Sequence, residues 1–225
     1  MTDNPTKKKI KTCAILSDGP SAHLYNQNGG QYDIVIGAGR TASIWACDWW
    51  AFCDWQTWQN YPPVGKSKPK LFTAQQIPVK MKVHEPELWK HFQYDLLTTF
   101  EEIEQPVMTL GLKWCCFSGC AALGLALHLK PDIIVCYGVD LAGTDDCLNK
   151  VDERNRSDHR WQFEKKIWAD LLKNAVSKNI LLYRAECGNG GNDVEACKDR
   201  FEAAAKLQPR AQNGPAKPEK PWART

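Results

Sequence analysis

The sequence contains no run of about 18 apolar residues, the length that a membrane-spanning helix needs. Its first residues are polar and basic, without the apolar core of a secretory signal. The expected setting is therefore the cytoplasm, with reduced thiols and no membrane partner. A zinc template is missing too, although there are ten cysteines. Cys115, Cys116 and Cys120 form no C-x-x-C pair, and Cys13 and Cys136 lie in apolar runs where a thiol simply packs. Cys187 and Cys197, which flank Gly188-Asn189-Gly190-Gly191, are the pair best able to meet in a loop. A P-loop is absent: Gly65-Lys66-Ser67 has its ending but neither the earlier glycine nor the strand–loop–helix setting. No charge of one sign dominates, since 29 Lys and Arg stand against 26 Asp and Glu. The basic excess gathers at the ends, in Lys7, Lys8, Lys9 and Lys11 and in Arg210, Lys217, Lys220 and Arg224. Such charges read as solvated ends rather than as a nucleic-acid face.

What remains is a globular composition, 43% hydrophobic and 24% charged, in a chain long enough to bury a substantial core. The expected organisation is a flexible basic segment over 1–11, one α/β nucleotide-binding domain over 12–205, and a disordered tail rich in Pro, Gln and Lys over 206–225.

Within that domain, apolar runs end repeatedly in glycine-bearing turns. Thr12-Cys13-Ala14-Ile15-Leu16 breaks into Ser17-Asp18-Gly19-Pro20-Ser21. A strand leading through such a turn into a helix offers unpaired N–H groups and a partial positive charge, which favour phosphate. Gly19 allows close approach, Pro20 stiffens the turn, and Ser21 either caps the helix or donates to a phosphate oxygen. Asp33-Ile34-Val35-Ile36-Gly37 repeats the pattern and closes on Gly37-Ala38-Gly39-Arg40. Leu71-Phe72-Thr73 starts a third strand, and 85–105 reads as one or two surface helices suited to a lid. Trp45, Trp49, Phe52 and Trp55 recur at helical steps. They are expected to wedge a helix into the core, with Trp50 or Trp58 more exposed. Stacking on bases is the other use of such rings, but no Lys or Arg is interleaved, so nucleic acid is not the favoured partner.

The clearest βαβ signal follows. Ser118-Gly119-Cys120-Ala121-Ala122 opens a helix of small residues, with Ser118 expected at its N-cap, and Ile133-Ile134-Val135-Cys136-Tyr137 is the next strand. That strand releases Gly138-Val139-Asp140, with Asp145 and Asp146 close behind, at the end of a strand where open α/β sheets hold ligands. A helix over 159–178 and a strand over 180–183 complete the pattern. The fold class is α/β, a Rossmann-like three-layer sandwich with a mainly parallel central sheet.

The G-P-S turn, the Ser-Gly helix and the strand ending in G-V-D resemble, in that order over residues 12–187, the bacterial sialyltransferases and the related 6-hydroxymethylpterin pyrophosphokinase-like proteins. Phage proteins with the same order of motifs are similar too, and a phage-encoded chain would work in the host cytoplasm. The resemblance implies a group-transfer enzyme, most nearly a glycosyltransferase, that needs no cofactor and uses a nucleotide sugar as donor. It puts a cytidine nucleotide on Asp18, Gly19, Pro20 and Ser21, the donor on Ser118 and Gly119, and a general base at His159. Asp18 replaces the usual Asn, and Gly37-Ala38-Gly39-Arg40 replaces a second one, so Arg40 is the candidate for an added phosphate or carboxylate contact. His159 would otherwise be an exposed first residue of a helix. The pyrophosphokinase-like alternative implies Mg²⁺ on donor phosphates, with Asp140, Asp145 and Asp146 as its carboxylates. A binding module without catalysis is the third reading.

Overall fold

The computed structural model describes residues 10–27, 31–65, 68–92, 97–99, 117–143, 146–148 and 157–185. Seven strands form one sheet: β1 (Thr12–Leu16), β2 (Ile34–Ala38), β3 (Trp49–Phe52), β4 (Lys70–Thr73), β5 (Leu97–Thr99), β6 (Ile133–Tyr137) and β7 (Leu181–Arg184). Their order is β5-β4-β3-β2-β1-β6-β7, and every neighbouring pair is parallel. The chain builds outward from β1 to one edge, then returns to lay β6 on the other side of β1. Thr12 to Leu16 pair with Ile133 to Tyr137, so the two loops leave the sheet side by side.

The helices are α1 (Leu24–Gln27), α2 (Trp55–Asn60), α3 (Gln76–His84), α4 (Pro86–Trp89), α5 (Ser118–Leu129) and α6 (Asp158–Ser177), with 3-10 turns at Pro20–His23 and Gly39–Ser43. Successive β1 side chains point to opposite faces. Cys13 and Ile15 join the core that α5 and α6 cover, whereas Ala14 and Leu16 join Ala22, Trp45 and Tyr137 on the other face. With both faces covered, the central strands read as unbroken apolar runs, as parallel strands must. The α/β parallel-sheet expectation holds. No helix among the described residues is long and apolar enough to cross a membrane.

Small residues let α5 lie flat on the sheet, and every residue from Gly119 to Leu127 is buried. Its N-cap is Phe117, with no side-chain cap, so Ser118 is the first helical residue rather than the cap. The 20-residue α6 is capped by Ser157 and buries Trp161, Glu164, Ile167, Leu171 and Ala175, a stripe at helical spacing.

The tryptophan stretch corrects the helical expectation. Trp49 to Phe52 form β3, buried throughout, and Asp54 ends it by capping α2 through the Thr57 N–H. A strand buried on both faces has no alternation to betray it, and the aromatic spacing imitated a helix. Trp45 and Trp49 are buried as expected, but Trp50, expected to be exposed, has no accessible surface and donates its indole N–H to the Gly39 carbonyl at 2.7 Å. Trp55 and Trp58 are half-buried. Leu71-Phe72-Thr73 belongs to the fourth strand, not the third. The basic start over 1–9, residues 93–96 and 100–105 of the expected lid, Cys115, Cys116, Asp145, Cys187, Cys197 and the tail over 206–225 lie outside the described residues, while Leu97–Thr99 of that lid is strand β5 and not surface helix.

Candidate functional site

A cavity of about 620 Å³ opens where the carboxyl ends of β3, β2, β1 and β6 meet the first turns of α5 and α6. It lies where the chain reverses its direction of building across the sheet, between the loops that follow β1 and β6. In an open α/β sheet this is where adjacent loops part and leave a crevice. Asp18, Arg40, Ser118, Gly119 and Asp140 line it, although they span more than half the chain. The turn after β1 and the start of α5 do converge, for a Cβ added to Gly119 would come within 2.8 Å of Ser17 Oγ.

The G-P-S turn itself faces inward. The Gly19 N–H donates to the Gly138 carbonyl at 2.8 Å, the Ser21 N–H donates to Asp140 Oδ2 at 3.0 Å, and Ser21 Oγ accepts the Gly138 N–H at 2.9 Å. The donors expected to hold phosphate are thus engaged, and the Asp140 carboxylate takes the place an anion would occupy. Ser21 is fully buried, and neither Gly19, Pro20 nor Ser21 lines the cavity. This corrects their expected role: the three residues lock β1 to β6 and shape the wall from behind.

His159 is displaced as well. It is exposed on α6, its ring edge-on to Phe163 at 4.9 Å, and does not line the cavity. Arg160, Trp161 and Glu164 line it instead. Arg160 Nε donates to Glu164 Oε2 at 3.3 Å, and its guanidinium lies 5.0 Å from the Phe117 ring centroid and 5.4 Å from that of Trp161. Two rings and a buried carboxylate therefore fix a cation beside the uncapped start of α5, where the helix dipole also favours negative charge. The sequence carried one hint of this: Glu164 is an acid within the buried stripe of α6.

Arg40 acts as a strut across the opposite wall. Its backbone N–H donates to Asp18 Oδ1 at 3.0 Å, and its guanidinium pairs with the fully buried Asp146 and lies over the Tyr61 ring. Asp146 also accepts the Leu148 N–H, and the Cys147 N–H donates to the Asp18 carbonyl, so this segment is strapped to the turn after β1. Among the described residues, no three His, Cys, Asp or Glu side chains gather as a metal site.

The chain matches no family model, no curated protein and no solved structure. Function has to be argued from the cavity.

The cysteines provide a footprint for it. Burial pushes the Cys13 thiol well above its ordinary range and that of Cys47 up to about 12, so neither supplies thiolate near neutral pH. Cys53 is half-buried and lines the cavity. Iodoacetamide is expected to modify Cys53 well before Cys13 or Cys47, and saturating ligand is expected to slow that modification severalfold. Peptide mass spectrometry over a time course reads both, and an unprotected Cys53 would place the ligand elsewhere.

Proposed function

We infer that the chain is a group-transfer enzyme that binds a nucleotide-linked donor in this crevice. The observation that carries the reading is the meeting of the uncapped α5 start with the ring-held guanidinium of Arg160 in a polar cavity at the reversal point of the sheet. Donor phosphates belong there, with Ser118 and Gly119, rather than on Gly19–Ser21. A fork of N–H groups and a helix terminus stabilise the negative charge that grows on a departing nucleotide phosphate. The resemblance to bacterial sialyltransferases supports glycosyl transfer as the reaction, although His159 is too far to the outside to serve as base. Asp140, which lines the cavity and is held by the Ser21 N–H, is the better candidate to take a proton from an acceptor hydroxyl. The burial of Trp45, Trp49 and Trp50 removes the support for base stacking along that stretch.

A melting experiment tests the reading. CMP, CDP, UDP and ADP are titrated into the full chain with and without Mg²⁺. A nucleotide at a hundred times its dissociation constant adds about 2.7 kcal/mol, or about 5–11 °C for a chain of this size. Arg160→Lys keeps a cation beside Glu164 but loses the fork, and is expected to weaken the nucleotide about tenfold. The reading fails if no nucleotide at millimolar concentration moves the transition.

A further inference from the structure

Glycine is disfavoured within a helix, where alanine is the best residue. Gly119 is nevertheless the second residue of α5, in a run of small residues, and its backbone is ordinary helix, so no dihedral demand requires it. The demand comes from the turn after β1. A Cβ added at 119 would stand 2.8 Å from Ser17 Oγ, closer than real Cβ atoms approach, and the hydroxyl would have to swing away. The next atoms, Ser17 Cβ at 3.6 Å and Trp168 Cζ2 at 3.7 Å, are at ordinary contact distance. One hydroxyl oxygen therefore takes the room that glycine leaves at the start of α5.

The backbone of Ser17 is fixed, since its N–H donates to the Tyr137 carbonyl at 2.7 Å as an extension of the β1–β6 pairing. Its side chain is half-buried, lines the cavity, and makes no hydrogen bond among the described residues. It is not a substitute cap, and the N-cap residue Phe117 has no capping side chain either. The helix alone would favour alanine at 119. An anion at the helix start favours glycine, because a hydroxyl beside Gly119 donates to that anion alongside the N–H groups of the first turn.

We propose that Ser17 is a ligand of the donor's phosphate, its hydroxyl donating to a phosphate oxygen, and that Gly119 is the residue that admits it. This rests on the nucleotide reading above, which puts the phosphates at the α5 start. No bond is made to Ser17, and its hydroxyl keeps its proton. Ser17 makes the phosphoryl group, rather than the base, the part of the nucleotide that this wall recognises.

The test is calorimetric titration of the full chain with CMP and with cytidine, which lacks only the phosphate. Ser17→Ala is expected to weaken CMP at least about tenfold, as loss of a hydrogen bond to a charged group does, and to leave cytidine within about twofold. Gly119→Ala displaces the hydroxyl. It is expected to weaken CMP by a similar factor when Ser17 is present, but by less than about twofold in the Ser17→Ala chain, because the two substitutions remove the same contact. Where cytidine binds too weakly to titrate, the Gly119 comparison decides.

CMP bound as tightly by Ser17→Ala as by the wild type, cytidine weakened as much as CMP, or a Gly119→Ala loss that persists in the Ser17→Ala chain would each overturn the proposal while leaving the nucleotide site intact. Failure of every nucleotide to bind the wild-type chain defeats the nucleotide reading instead. Inorganic phosphate is then titrated in place of CMP. Phosphate binding that Ser17→Ala abolishes supports Ser17 as a phosphate ligand, and no Ser17-dependent binding refutes it.

Discussion

Gly138→Ala is expected to lower the melting temperature by about 8–16 °C, the result of losing about 4 kcal/mol in a chain of this size. Gly138 has a φ of +72°, and a Cβ there would overlap the Ser17 carbonyl. That carbonyl is backbone and cannot swing aside. The Gly138 N–H meanwhile satisfies the buried hydroxyl of Ser21, and its carbonyl accepts the Gly19 N–H. Relief of the overlap therefore has to part the β1 turn from the β6 turn, which also breaks the Ser21 to Asp140 contact. Gly143→Ala is the control. Its φ is +73°, nearly the same, but an added Cβ would meet nothing within 4 Å. It is expected to cost only the backbone preference, about 1–2 kcal/mol. Calorimetric melting of the two variants separates contact from dihedral strain, and equal losses would mean that the turn-to-turn contact is not what requires glycine at 138.

That junction also explains which parts of the site were legible in the sequence. β1, β2 and β6 announced themselves as apolar runs closed by glycine turns, and α5 by its small residues. A turn pattern records where a strand stops, and all such stops in a parallel sheet lie on one edge. Asp18, Arg40, Ser118, Gly119 and Asp140 could therefore be gathered from separate segments. The partners within the turn were not legible. Whether a Gly-Pro-Ser turn offers its N–H groups to a ligand or to the protein depends on what the neighbouring loop brings, and here Asp140 arrives from 119 residues away.

Helix phase was the second obstacle. His159 and Arg160 are adjacent in sequence, but a helix turns about 100° per residue. One faces solvent and the other the cavity, and only packing of the Trp161–Ala175 stripe on the sheet decides which. β3 failed for the opposite reason, because a strand buried on both faces has no phase to read. Asp54 stands between Phe52 and Trp55 in the sequence, and only the strand shows that it follows the end of β3 as the cap of α2.

The opposite wall yields an asymmetric loss. Arg40→Ala is expected to cost about 3–5 kcal/mol, because it removes the guanidinium from a carboxylate that has no exposed surface. Asp146→Asn should cost much less, about 1 kcal/mol. The Arg40 side chain is 17% exposed and has the Asp18 carboxylate 3.9 Å from its Nε, so water and a second anion still solvate it, while the Asn oxygen can still accept the Leu148 N–H. The double variant should be more stable than Arg40→Ala alone, since it replaces the buried charge with a neutral amide of the same shape. Denaturant unfolding of the wild type, both single variants and the double variant closes the cycle. If Asp146→Asn proves as costly as Arg40→Ala and the double variant regains nothing, then packing against Tyr61, rather than the ion pair, holds the 146–148 strap to the turn after β1.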